Sequence, residues 1–101
     1  MKKLFISQPM RGKTDEEILA ERKNAITSAE LYLNEEVEVI DSFFDNFNGR
    51  PLEFLAKSIA LLATADIAYF AEGWENARGC RIEHKCAEEY GINIVGHICQ
   101  K

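Results

Sequence analysis

No stretch of this sequence stays apolar for long enough to cross a membrane, since the best candidate, Ile59 to Phe70, is interrupted by Thr64 and Asp66. Positive charge is also in short supply. The 12 Lys and Arg against 17 Asp and Glu leave a net charge of -5, which argues against a protein that covers nucleic-acid phosphates with a basic face. A small anionic ligand needs only one or two local cations, so that class stays open. Cysteine is sparse: Cys80, Cys86 and Cys99 are odd in number and lack metal-ligand spacing. Packed, reduced thiols and no metal site are expected. Lys2 and Lys3 are followed at once by strand-like residues, with no small-residue cleavage site, so a cytoplasmic protein without a signal peptide is expected. Internal repeats and low-complexity segments are absent.

What remains is an ordinary soluble composition, 47% apolar and 29% charged over 101 residues, enough for one domain spanning 1–101 with a modest core. Lys3 to Ser7 is a short apolar run that suits a buried strand. Thr14-Asp15-Glu16-Glu17 has the form of a capping box. The helix behind it carries Ile18, Arg22, Ala25, Ile26, Ala29, Tyr32 and Leu33 on one face and is expected to end near Asn34 to Glu36. Val37 to Ile40 predicts a second strand, and Asp41 to Arg50 a polar-aromatic loop with Phe43, Phe44 and Phe47. Pro51 suits the first position of a helix that runs to about Ala63, with Leu52, Leu55, Ile59 and Leu62 inward. Asp66 to Phe70 predicts a third strand, Asn76 to Tyr90 a third helix, and Tyr90-Gly91-Ile92 to Val95 a fourth strand. The order β-α-β-α-β-α-β implies a minimal Rossmann- or flavodoxin-like α/β three-layer sandwich around a mostly parallel four-stranded sheet with right-handed crossovers. So small a sheet leaves apolar surface to cover, and self-association is expected.

In such a fold the loops at the carboxyl ends of the strands border the ligand crevice. Two loops stand there: Ile6-Ser7-Gln8-Pro9-Met10-Arg11-Gly12-Lys13 after the first strand, and Gly73-Trp74-Glu75-Asn76-Ala77-Arg78-Gly79-Cys80-Arg81-Ile82-Glu83 after the third. Gly12 allows close backbone approach and Arg11 offers a two-pronged guanidinium to a phosphate or carboxylate; a solvated loop arginine is the plainer reading. Ser7 and Gln8 can donate hydrogen bonds. Trp74 is either a platform for a nucleobase or a cover for the core edge. Asp66 either orients a substrate or caps the preceding turn. Glu83, about two turns inside a helix capped by Asn76, shares a face with Cys86, Ala87 and Tyr90. A carboxylate on such a face is costly without partners. An outward rotation, or an ion pair with Arg78, Arg81 or Lys85, is the structural explanation; a reacting group is the functional one. His84 and His97 have no evident partners and read as structural.

The two loops, with Ala65-Asp66-Ile67-Ala68-Tyr69-Phe70 between them, resemble the nucleoside 2-deoxyribosyltransferase superfamily, which includes the deoxynucleoside monophosphate N-glycosidases. The likeness runs from Leu4 to about Val95 and is strongest to small bacterial and phage members with an Ile-Ser-x-Pro-Met-Arg-Gly start. The resemblance implies that Glu83 is the nucleophile that attacks the anomeric carbon, with Gly79 four residues before it. It implies further that Asp66 positions the sugar or leaving base, and that Arg11 and Gly12, directly after the substrate-binding candidate Met10, match the phosphate-side loop. Together with Ser7, Gln8, Trp74 and Asn76 these make up the expected site, on a small-molecule nucleoside or nucleotide and with no cofactor. Ala77 stands where the family's enzymes carry an aspartate or serine, and the sequence stops without the fifth strand that helps complete a neighbouring subunit's pocket. Both departures shift the expectation from transfer towards monophosphate hydrolysis or binding without turnover.

Overall fold

The computed structural model of the protein describes residues 1–9, 12–40 and 50–96. Strands β1 (Lys2–Ser7), β2 (Val37–Val39), β3 (Ile67–Phe70) and β4 (Asn93–Gly96) alternate with helices α1 (Asp15–Leu33), α2 (Pro51–Leu62) and α3 (Arg78–Glu89). A single 3-10 turn, Trp74–Asn76, precedes α3. The strands form one sheet in the order β2-β1-β3-β4, with every pairing parallel. The expected α/β sandwich is therefore the observed architecture. Among the described residues, no helix is long and apolar enough to cross a membrane.

Alternation along the strands sorts the core into two layers. Leu4 and Ile6 of β1 and Ile67 and Tyr69 of β3 pack with Ala25 and Ala29 of α1. Phe5, Ala68 and Phe70 point the other way, onto Leu62 of α2 and Ala87 of α3. Both strands are apolar on both faces, as a sheet covered by helices on either side requires. Each fully buried large side chain, such as Phe5 or Phe70, contributes about 1.5–3 kcal/mol relative to exposure.

The helix boundaries follow local chemistry. The Thr14 hydroxyl accepts from the Glu17 amide at 3.1 Å, and the Glu17 carboxylate accepts from the Thr14 amide at 2.9 Å, so the capping box forms as expected. Asn34 ends α1 in the left-handed region, φ 58°. Pro51 opens α2 as expected. Four expectations need correction. Leu52 and Tyr32, placed inward by periodicity, are exposed; each lies in a terminal turn of its helix, and Leu52 borders an open cleft. Tyr90 is exposed as well. Helix α3 starts two residues later than expected, with Ala77 rather than Asn76 at its N-cap.

Strands β1 and β3 are central, and the chain winds outward from them in opposite directions, β1 to β2 and β3 to β4. The carboxyl ends of β1 and β3 are thus the topological switch point, where the following loops diverge to opposite faces and leave a crevice. At that edge Gly96 lies opposite Phe70, and a Cβ on Gly96 would stand 2.7 Å from the Phe70 carbonyl oxygen. Backbone cannot retreat cheaply inside a sheet, so Gly96→Ala is expected to destabilise the protein by about 1–3 kcal/mol. Urea denaturation that leaves the midpoint unchanged would show that β4 is free to move.

Candidate functional site

A cleft of about 860 Å³ opens at this switch point, between the first turns of α2 and α3 and beside Gln8 and Pro9. Its position follows from the fold: Ser7 ends β1, and both helices on this side of the sheet begin nearby. Glu83 lines the cleft and is only 8% exposed. The Ser7 hydroxyl donates to Glu83 Oε1 at 2.6 Å, a bond between residues 76 apart in sequence. The Ser58 hydroxyl, from α2, is a second hydrogen-bonding partner. Burial pushes the Glu83 carboxyl above its ordinary pKa, and the hydrogen bonds from Ser7 and Ser58 oppose that rise by favouring the ionised form.

Glu83 matches neither of the structural explanations that its spacing offers. It is neither rotated outward nor ion-paired with its neighbours on α3. Lys85 pairs with Glu89 at 3.2 Å, and Arg81 donates to the Glu75 carbonyl oxygen at 2.9 Å. Among the described residues no cation lies within ion-pair distance of the Glu83 carboxylate. Among the described residues, its negative charge is supported by hydroxyl dipoles.

At the mouth of the cleft, Arg50 and Arg78 supply positive charge, while Leu55 and Ile82 supply apolar wall. Ala77 has no side chain with which to cap α3, so the amides of Arg78, Gly79 and Cys80 have no intrahelical acceptor. Gly79 lines the cleft beside them, and a Cβ there would only touch Leu55 at 3.9 Å. Cys80 is buried beside Ser7 and Glu83, and its thiol is pushed up by burial, opposed by a hydrogen bond with Ser7 and reinforced by the Glu83 charge. It packs, as expected, rather than acting as a thiolate.

Other expected site residues are placed elsewhere. Asp66 lies at the amino end of β3, where its carboxylate accepts from the Lys3 amide at 2.8 Å. The length of β3, about 13 Å, separates it from the cleft edge. Strand direction explains this: the residue before a parallel strand lies at the end opposite the crevice. Trp74 stacks on His84 with centroids 4.0 Å apart and planes 6° from parallel, and tilts against Phe70 at 5.9 Å. One face of the indole is thus covered by His84, which is the structural partner the sequence did not reveal. Asn76 is exposed in the 3-10 turn. Gly12 adopts a left-handed φ of 78° in open space. Met10, Arg11, Phe43, Phe44, Phe47 and His97 lie outside the described residues.

Sequence reasoning missed Ser58, Arg50 and Arg78 as cleft residues. Ser58 had a signal: it stands three residues after Leu55 and four before Leu62, a hydroxyl on an otherwise apolar helical stripe.

A carboxyl whose pKa is higher in the folded than in the unfolded chain binds its proton more tightly when folded. Its contribution to stability is therefore fully present below the unfolded pKa and declines as pH rises to the folded one. Glu83→Gln keeps an acceptor for Ser7 and removes the buried charge. The variant is expected to be more stable at neutral pH by about 0.5–2 kcal/mol, and the advantage should shrink towards pH 4. Thermal unfolding across pH checks this; a variant destabilised equally at every pH would contradict it.

No curated protein matches the chain significantly. Residues 2–96 match a family described as a domain of unknown function (DUF4406). That match runs from the first strand of the sheet to the last, so the chain belongs to the DUF4406 family.

Proposed function

We propose that the protein breaks the N-glycosidic bond of a deoxynucleoside or its 5′-monophosphate, by hydrolysis or transfer, with Glu83 as the nucleophile. The observation that carries this reading is a buried carboxylate in a large cleft, held by two hydroxyls and paired with no cation among the described residues. A cation beside it would spend the negative charge. Hydroxyl donors orient it and leave the charge available to the positive anomeric carbon of an oxocarbenium-like transition state. The resemblance of the two loops to the deoxyribosyltransferase superfamily supports the same role.

In the proposed reaction a Glu83 oxygen bonds to the anomeric carbon as the bond to the base nitrogen breaks. The electron pair leaves with the base, which takes a proton from water. A water molecule, or a second base, then displaces the carboxylate from the glycosyl ester and restores Glu83. Asp66 has no part in this scheme, because it sits at the far end of β3. Arg50, Arg78 and the open amides at the start of α3 favour a 5′-phosphate at the cleft mouth. Binding without turnover is the second reading, favoured by that distant Asp66 and by the bare methyl of Ala77.

Incubation with a panel of deoxynucleosides and their 5′-monophosphates, followed by chromatography, is expected to show free base. Glu83→Gln should lower that rate by about 10³-fold or more. Release undiminished in the variant removes Glu83 from the mechanism, and calorimetric binding with no base released favours the second reading. Since attack requires the ionised carboxylate, kcat/KM should rise with pH along a limb displaced above the usual carboxylate range. Ser7→Ala removes a donor to the ionised form and should move that limb to higher pH; a limb that stays in place would separate Ser7 from Glu83 in the chemistry.

A further inference from the structure

Gln8 is 9% exposed, and its amide is only half satisfied. Nε2 donates to the Ile18 carbonyl oxygen at a long 3.4 Å, while Oε1 is buried and finds no hydrogen-bond partner among the described residues. A buried acceptor without a donor is costly, and native proteins seldom keep one without a reason. Gln8 follows the last residue of β1, and its bond to Ile18 turns it to the α1 side of the sheet. There it lines a second hollow of about 250 Å³. Gln8 and Pro9 also line the Glu83 cleft, so the two spaces meet over the end of β1.

The two spaces differ in character. The Glu83 cleft has arginines at its mouth and apolar walls. The hollow is lined by Glu17, Glu21 and Glu72, with Lys13 as its one cation among the described residues. Glu21 is fixed by the Tyr69 hydroxyl at 2.7 Å. Such a wall is rich in acceptors and repels a phosphate, but suits a group that presents N–H donors.

Resting on the function proposed above, we infer that the hollow is the base subsite, and that Gln8 selects bases bearing an exocyclic amino group by accepting its N–H. An oxo group at the same place meets another acceptor and is disfavoured. The bond to Ile18 occupies Nε2 and so leaves Oε1, the acceptor, as the end of the amide offered to the ligand.

The test uses deoxyadenosine 5′-monophosphate and its 6-oxo counterpart, deoxyinosine 5′-monophosphate. Calorimetry in the Glu83→Gln background keeps both nucleotides intact. The amino nucleotide is expected to bind about tenfold more tightly. Gln8→Met should erase that ratio while leaving the melting temperature equal or higher, since the orphan acceptor is gone. Ala20→Phe, an exposed substitution on the hollow's rim, should weaken binding of the amino nucleotide without disturbing the core. A preference that survives Gln8→Met, equal binding of the two nucleotides, or no binding of either overturns the inference. Base release that depends on Glu83 and ignores Gln8 overturns this inference alone. A Gln8-dependent preference without any base release overturns only the glycosidase reading.

Discussion

The hydrogen bond from Ser7 to Glu83 is the constraint on which the site depends. It joins the end of the first strand to the last helix, 76 residues away, and so ties both halves of the doubly wound sheet at the point where they diverge. Ser58 adds the second helix to the same carboxylate. Three elements far apart in sequence therefore hold one ionisable group in place. The cost is visible in its raised pKa: burial is opposed, but not cancelled, by the hydroxyls. A protein selected for stability alone has cheaper side chains for that position.

The scaffold was legible because its signals are local. The Thr14 to Glu17 box, Pro51 and the apolar runs at β1 and β3 each declare an element through neighbouring residues. Where periodicity misled, as at Leu52 and Tyr32, the residue lies in a terminal turn of its helix, and no local pattern says what covers it there. The site was only partly legible. Glu83 stood out as a carboxylate on an apolar face, yet its spacing from Arg78, Arg81 and Lys85 favoured a structural role, through outward rotation or an ion pair. Only the long-range approach of Ser7 argues against both. Asp66 was misjudged for a related reason: its closeness in sequence to the third strand says nothing until strand direction is applied, and direction puts it at the far edge.

The two faces of β1 divide the labour at the crevice. Ser7 turns to the side of α2 and α3 and orients a negative group there. Gln8 turns to the side of α1 and presents an unfilled acceptor. The last residue of the strand and the one that follows it thus reach two chemically distinct spaces, with Gln8 bordering both. The acidic hollow and the arginine-rimmed cleft are thereby kept at opposite ends of whatever bridges them.

The helices also differ in how they begin. Helix α1 starts with reciprocal side-chain and backbone bonds between Thr14 and Glu17, whereas α3 starts at Ala77 with none from a side chain. The first turn of α3 therefore lacks the side-chain cap that α1 has, and it lines the cleft that holds the buried carboxylate. The amides of Arg78, Gly79 and Cys80 there are donors that no side chain of the helix has taken up. A capping side chain at position 77 would have spent those donors within the helix itself, on the same rim of the cleft that holds the buried Glu83.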